Sequence, residues 1–326
     1  MNNSSKDHLL HRAIRTALGT LGVGAGAGLL ALGWGTRELT QFELKEETLA
    51  LLPPGTLRSY ATPGVSPSFK ILHISDLHML ANQHAKQQWV KSLDALAPDL
   101  VINTGDNLGE AQAVPAVLDA LSGLLNRPGL FVFGTNDYFA PRPVNPLGYL
   151  RKKKRPVSRV SLPYGGMRDA FIQRGWHDMT HQRLDFKCGP VKLAVAGVDD
   201  PHHNLDDYQS IAGPPNPDAD LSIALTHSPE PRVLERFAAD GYTISFSGHT
   251  HGGQICLPAL RSQGWKFGTP LVTNCGIDPE RAYGLHKFGR MWMQVSNGLG
   301  TSKFAPVRLF CRPTATLIKI TETSKL

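Results

Sequence analysis

Short apolar runs alternate with amphipathic stretches along most of this chain, and several of the runs stop at a polar residue able to do chemistry. Phe69 to Ser75 (FKILHIS) reads as a strand and leads into Asp76, Leu77 and His78. Trp89, Val90, Leu93 and Leu96 then share one helix face. Asp99 to Thr104 (DLVINT) is the next strand and runs into Gly105, Asp106 and Asn107. A helix around Val114 to Leu125 is closed by the Arg127-Pro128-Gly129 turn, and Gly129 to Phe133 (GLFVF) leads to Gly134, Thr135, Asn136 and Asp137. The middle, Tyr138 to Gly189, is less regular, with a helix near Met167 to Arg174 and an extended stretch at Leu184 to Lys187. Val191 to Ala196 points to Asp199, Asp200, Pro201, His202 and His203, and Leu221 to Leu225 to Thr226, His227 and Ser228. After a helix across Pro231 to Ala239, Tyr242 to Ser247 (YTISFS) delivers Gly248 to Gln254 (GHTHGGQ). Met291 to Val295, Val307 to Phe310 and Ala315 to Ile320 are also strand-like. Alternating strands and helices of this kind predict an α/β fold whose folded domain begins at Phe69.

In open α/β sheets the carboxyl ends of strands are where ligands bind. Five strands here end in DLH, GDN, GTND, LTHS and GHTH. His249 and His251 lie at i and i+2, so on an extended segment they face one side. Alone, such a pair fits a polar turn equally well; beside four other ends of the same character it reads as part of one pocket. The donors are carboxylate, amide and imidazole with no thiolate, a set suited to Mn²⁺, Fe or Zn²⁺. His73 sits within its strand and reads as a core histidine. Asp199 and Asp200 fit either an Asx turn before Pro201 or a role beside the substrate.

Upstream, Ala17 to Trp34 carries no charge and is preceded by Lys6, Arg12 and Arg15. Its length is at the lower limit of about 18 residues for a membrane span. Residues 1–16 then form a cytoplasmic tail, residues 17–35 a transmembrane signal anchor or a cleaved signal peptide, and residues 36–68 a proline-broken linker to the domain at 69–322. That orientation places the domain outside the membrane, single-pass if anchored and secreted if cleaved.

The formal charge of +7 in 326 residues favours anionic partners. Zinc-finger and aromatic-basic RNA motifs are missing, so nucleic acid is not expected. The basic run Arg151 to Arg155 (RKKKR) is either a solvated loop or a contact for anionic head groups. Four cysteines form no CxxC pair, which argues against structural zinc; in an oxidising compartment Cys256 and Cys275 are the favoured bridge.

Taken together, the DxH, GD, GTND, His and GHxH blocks resemble those of the calcineurin-like metallophosphoesterases, in that family's order, over about Phe69 to Ile320. GHTHGGQ and Gly298 to Ser302 (GLGTS) bring the chain nearest the membrane-associated bacterial branch. The resemblance implies a four-layer α/β/β/α sandwich and two divalent metal ions. It implies Asp76, His78 and His251 on one ion, Asp106 bridging, and Asn136, His227 and His249 on the other.

The family usually has GNHD where this chain has GTND. Aligned on Gly134, Thr135 takes the ligand position and Asn136 the histidine position; aligned on the amide, Asn136 stays a ligand and Asp137 replaces the histidine. The second alignment is favoured because an amide oxygen coordinates a hard cation better than a hydroxyl. Either way an imidazole acid is missing. Asp137 beside two cations would be a poor acid, so either the substrate has a good leaving group or His202 or His203 supplies the proton; the catalytic candidates are Asp106, Asn136, Asp137 and His202. The expected activity is hydrolysis of phosphodiester or pyrophosphate bonds of a phosphorylated small-molecule, lipid or cell-wall substrate. The alternatives are a phosphomonoesterase and a catalytically weak metal-binding envelope protein.

Overall fold

The computed structural model describes residues 33–64, 66–143, 158, 160–257, 269–270, 273 and 275–324. The anchor segment, apart from its last residues 33–35, and the basic run 151–155 lie outside the described residues. Among the described residues no helix is long and apolar enough to cross a membrane.

Two six-stranded mixed sheets organise the chain. The first contains β1 (Glu43–Leu52), β2 (Phe69–Ile74), β3 (Leu100–Asn103), β4 (Gly129–Phe131), β5 (Trp176–Asp178) and a last strand, Thr314–Glu322. The second contains β6 (Gln182–Cys188), β7 (Val191–Gly197), β8 (Leu221–Leu225), β9 (Ile244–Ser247) and, after the short pair β10 (Cys256–Leu257) and β11 (Thr269–Pro270), β12 (Gly284–Phe288) and β13 (Met291–Val295). With Thr314–Glu322 as β14, the orders are β1-β14-β2-β3-β4-β5 and β12-β13-β9-β8-β7-β6. Strands β2 to β5 are parallel, as are β7, β8, β9 and β13.

Period-two alternation sets the layers. Ile71, Leu100, Ile102 and Leu130 meet Leu193, Val195, Ile223 and Phe246 in a core between the sheets. Their neighbours Leu72, Val101 and Phe131 face the other way, where they pack with Val90, Val117 and Phe171. Those three come from α1 (His84–Ser92), α2 (Val114–Ala120) and, beyond the short α3 (Thr135–Tyr138), from α4 (Tyr164–Gln173). On the second sheet, Ala224, Met293 and Val295 pack against Val233, Leu234 and Phe237 of α5 (Pro231–Asp240). Helix α5 begins with Pro at its first position and ends at Gly241, whose φ of 93° suits the left-handed C-terminal cap. Burying Phe237 completely is worth about 2 to 3 kcal/mol. The result is helix, sheet, sheet, helix, with both sets of parallel strands ending on one edge.

Several boundaries differ from the sequence expectation. The stretch assigned to a linker contains β1, paired residue for residue with β14 from Glu43↔Thr314 to Ala50↔Thr321. Its apolar side chains Leu49 and Leu52 close the core, so the folded unit takes in residues before Phe69. Helical residues 33–38 also dock: Trp34 Nε1 donates to Glu38 Oε1 at 2.8 Å, and buried Glu38 accepts the Cys311 N–H at 3.2 Å. Val307 to Phe310 is no strand and keeps one bridge, Leu309↔Ile255. The expected Cys256–Cys275 bridge is not formed. All four cysteines are buried thiols, and the thiol beside Cys256 is that of Cys311.

Candidate metal centre

Three of the five polar strand ends, DLH, GDN and GHTH, are bent sharply. Asp76, His78, Asp106, His249 and His251 all have positive φ, between 38° and 68°. A left-handed backbone costs an L residue on the order of 1 kcal/mol or more, and such strain persists where surrounding contacts over-determine it. Here those contacts are explicit. The Asp76, His78 and Met79 amides donate to the Gly105, Asp106 and Asn107 carbonyls at 2.8 to 2.9 Å, lashing the first two loops together. The Gly248 amide donates to the His227 carbonyl at 2.7 Å, and the Leu299 amide to the Ser75 carbonyl at 3.0 Å. Gly248 is fixed by space: a Cβ there would lie 1.9 Å from Ser75 Oγ.

Two groups of side chains each converge within 4.8 Å: Asp76, His78 and His251, and Asp76, Asp106 and His227. Asp106 Oδ2 lies 3.4 Å from both His78 Nε2 and His227 Nε2, so one carboxylate oxygen stands between the groups. His251 Nε2 is 3.6 Å from Asp76 Oδ1. The His249 ring lies 5.2 Å from that of His227, and its backbone N–H donates to Asp76. Asn136 also belongs here, its backbone N–H on Asp106 Oδ1 at 2.8 Å and its side-chain amide on Oδ2 at 2.7 Å.

The tautomers show whether these imidazoles suit a cation. His227 Nδ1 is held by the Thr104 carbonyl at 2.6 Å and His251 Nδ1 by the Gly300 carbonyl at 2.9 Å. A ring that donates from Nδ1 presents a bare lone pair at Nε2. His227 Nε2 and His249 Nε2 are buried with no hydrogen-bond partner. His78 Nε2 and His251 Nε2 face one another at 3.2 Å. Burial keeps His249 and His251 neutral by pushing both well down, and lowers His78 to about 4. His227 and Asp106 form a charged pair in the metal-free pocket: burial alone would lower the His227 imidazole and raise the Asp106 carboxyl, but the Asp106 charge pushes His227 well up and the His227 charge holds Asp106 well below the usual range. His249 and His251, buried and neutral, present bare nitrogens, and a divalent cation would take the place of the proton that His227 holds against Asp106.

The remaining candidates fall differently. Asp137 lies beneath the pocket instead of at a leaving group. Its Oδ2 accepts the Asp106 and Gly134 amides at 2.7 and 3.1 Å, and its Oδ1 the Asn107 and Leu108 amides at 2.8 and 3.3 Å. It is a brace between two loops, so the expectation that Asp137 takes the histidine position is corrected. Thr135 turns its hydroxyl to Asp200 Oδ2 at 2.5 Å. Thus the segment follows the alignment on Gly134, with Asn136 in the histidine position. His202 stands at the rim, its ring 4.3 Å from that of His249 and its Nδ1 3.0 Å from Glu230 Oε1. His73 packs in the interior, edge-on to Phe246.

Sequence reasoning missed Arg308, Lys86 and Glu230. Arg308 is fully buried and donates to the Asn297, Gly298 and Gly300 carbonyls at 2.7 to 3.1 Å, setting the loop that holds His251. Lys86 Nζ donates to the Leu77 carbonyl at 2.7 Å behind the DLH loop, and burial pushes its ammonium down to about 7. The GLGTS block was a usable signal for Arg308, since its carbonyls need a donor.

A strand-end pocket of carboxylates and bare imidazoles, built across two facing sheets, defines a metal-dependent phosphoesterase. Residues 69–253 match the calcineurin-like phosphoesterase family model, and the chain belongs to that family. It is similar to phosphodiesterase YaeI of Escherichia coli (strain K12), 28% identical over 95% of this chain and 98% of that one. Metallophosphoesterase YkuE of Bacillus subtilis (strain 168) is 25% identical over 82% and 85% of the two chains. YpbG of the same organism is 27% identical over 78% and 82%.

Proposed function

We propose that this chain hydrolyses phosphodiester or pyrophosphate bonds with a pair of divalent ions. Asp76, His78 and His251 would hold one ion and His227 and His249 the other, with Asp106 shared between them. The observation that carries this is the position of Asp106 Oδ2, 3.4 Å from an imidazole nitrogen of each group. Only a carboxylate can lie between two cations while offsetting their repulsion. When bound, such a pair polarises the phosphoryl group and supplies a hydroxide-like nucleophile at neutral pH. Mn²⁺, Fe and Zn²⁺ all match the donor set.

The protein's own groups do the rest. Asn136 offers an N–H₂ beside Asp106, in place to donate to a phosphoryl oxygen. Glu230 fixes the His202 ring through Nδ1, and His202 then holds the proton for the departing oxygen. Beyond Tyr138 opens a cleft of about 420 Å³ lined by Phe133, Tyr164, Arg168 and Asp199. Residues 17–35 would tether the enzyme at the outer face of a membrane, where a phosphorylated lipid, small molecule or cell-wall component is the substrate.

With Mn²⁺ added, bis-p-nitrophenyl phosphate should turn over faster than p-nitrophenyl phosphate. A strong preference for the monoester would overturn the diester reading, and an Asp106→Asn variant of undiminished activity would overturn the mechanism.

A further inference from the structure

Among the described residues seven large apolar side chains stand exposed, and four of them, Trp34, Ile255, Leu257 and Phe304, belong to three segments that are stitched together beside the His251 loop. Ile255 and Leu257 flank buried Cys256 and so point to the same, outer side of an extended stretch. Ile255 bridges to Leu309, with the Cys256 amide donating to the Leu309 carbonyl at 2.9 Å. The Gln254 side chain donates to the Ala305 and Val307 carbonyls at 2.8 and 2.9 Å, which fixes the turn that follows Phe304. The Arg308 amide donates to the Gly35 carbonyl at 3.0 Å, and a Cβ on Gly35 would lie 2.4 Å from Val307 Cγ2, so the residue after Trp34 is pressed onto the same segment.

Two features say what this face meets. The first is where the chain comes from: the uncharged run Ala17 to Trp34 ends on the face itself, at Trp34. A run of that length suits a bilayer span, and tryptophan is enriched at the headgroup level. The second is charge. Residues 33–37, 254–257 and 302–309 contain no acidic side chain, while Arg37 and Lys303 are exposed. Glu38, the acid that follows, is buried on Trp34 Nε1 and the Cys311 N–H. Lys303 holds its Nζ 5.4 Å from the Phe304 ring centroid, a cationic head beside an apolar body. Such a pairing suits an anionic lipid surface, and grouped exposed apolar side chains mark an interaction site.

We propose that Trp34, Ile255, Leu257 and Phe304, with Arg37 and Lys303 beside them, form the face that rests on the surface of a bilayer containing anionic lipid. This deepens the tethering reading above and rests on it. Its consequence is for the site. His251 precedes Ile255 by four residues, and its Nδ1 is held by the carbonyl of Gly300, four residues before Phe304. Each length of chain spans at most about 14 Å. The His251 side of the metal centre therefore stands close to the headgroup level, where the phosphates of lipid-linked molecules lie. The docked face favours a substrate carried in the membrane over one free in solution.

The test places a fluorophore on this face of the full chain, reconstituted into vesicles of phosphatidylethanolamine and phosphatidylglycerol. The four native thiols are buried, so Phe304→Cys, Leu257→Cys and, as a control, Ile172→Cys can each be labelled alone. Ile172 is exposed near the end of α4, which leads into β5 and so lies at the sheet edge opposite the ligand-bearing strand ends. Nitroxide-bearing lipids should quench most of the emission at positions 304 and 257 and little of it at 172, and aqueous iodide should do the reverse. Should one variant fail to fold, the other decides alone. Lipid quenching on the face no greater than at 172, on a chain that alkaline carbonate does not strip from the vesicles, overturns this assignment and leaves the tether standing. Labels on the face that are shielded from both quenchers mean that protein covers it, a second copy or another chain, and overturn the assignment as well. A full chain that carbonate strips from the vesicles overturns the tethering reading and this assignment with it.

Discussion

His78 and His251 come from the first and the last strand ends of the pocket, and their Nε2 atoms face each other at 3.2 Å. With His251 Nδ1 committed to the Gly300 carbonyl, its Nε2 carries a lone pair pointed at another imidazole nitrogen. Without a cation His78 donates its Nε2 proton across this gap while its Nδ1 stays buried without a partner, and a bound ion would take that proton's place. Metal should therefore stabilise the fold as well as drive chemistry. Each ion present at a hundred times its Kd contributes about 2.7 kcal/mol. Thermal denaturation should rise by several degrees from EDTA to excess Mn²⁺, and His251→Ala should lose a large part of the rise. A Tm indifferent to metal would contradict the site.

Asp137 tests which alignment of GTND holds. A brace accepting four backbone N–H groups loses two acceptor positions when its carboxylate becomes an amide, and each orphaned buried donor costs about 1 to 3 kcal/mol. Asp137→Asn should thus lower the urea midpoint of the metal-free protein by an amount worth roughly 2 to 6 kcal/mol. A proton donor would behave the other way, with intact stability and a selective loss of kcat.

The α/β alternation and the strand ends were readable because a parallel strand leaves a plain mark: an apolar run cut off by a polar residue. Asp76, His78, Asp106, His227 and His251 converge at those strand ends, and the His249 ring lies 5.2 Å from that of His227. What the chain order hides is which loops meet. The Thr135–Asp200 contact spans 65 positions, and nothing local at either end announces it. Asp137 was misplaced for a related reason: its backbone partners at 106 to 108 exist only after β3 and β4 pair. Strand β1 was overlooked because its alternation is mixed with four charged residues on an edge strand, Glu43, Lys45, Glu46 and Glu47, where one face meets solvent.

His202 and Glu230 predict a leaving-group signature. If His202 delivers the proton, His202→Ala should slow substrates with poor leaving groups by about 10² to 10⁴-fold and barely affect p-nitrophenolate release. Glu230→Gln should do the same more weakly, since the ring stays but its orientation and charge support are reduced. A steady-state comparison of aryl and alkyl diesters measures the split. Equal losses across leaving groups would remove His202 from proton transfer and return the question to Asn136.

His73 predicts how stability follows pH. Burial lowers its imidazole from 6.5 to about 3, and its one side-chain partner is Thr104 Oγ1 at 3.0 Å. Between those two values the unfolded chain binds a proton that the folded chain refuses. Stability from this group is accordingly complete above pH 6.5 and declines as pH falls toward 3, at up to about 1.4 kcal/mol per pH unit. His73→Gln keeps a partner for Thr104 and abolishes the proton. Whatever the substitution costs at pH 7.5, the cost should shrink steadily below pH 6.5, and by pH 5 the gap between the two urea midpoints should have narrowed or reversed. Parallel midpoints from pH 7.5 to 5 would mean that His73 takes up its proton in the folded state, and that the strand holding Asp76 is open to water.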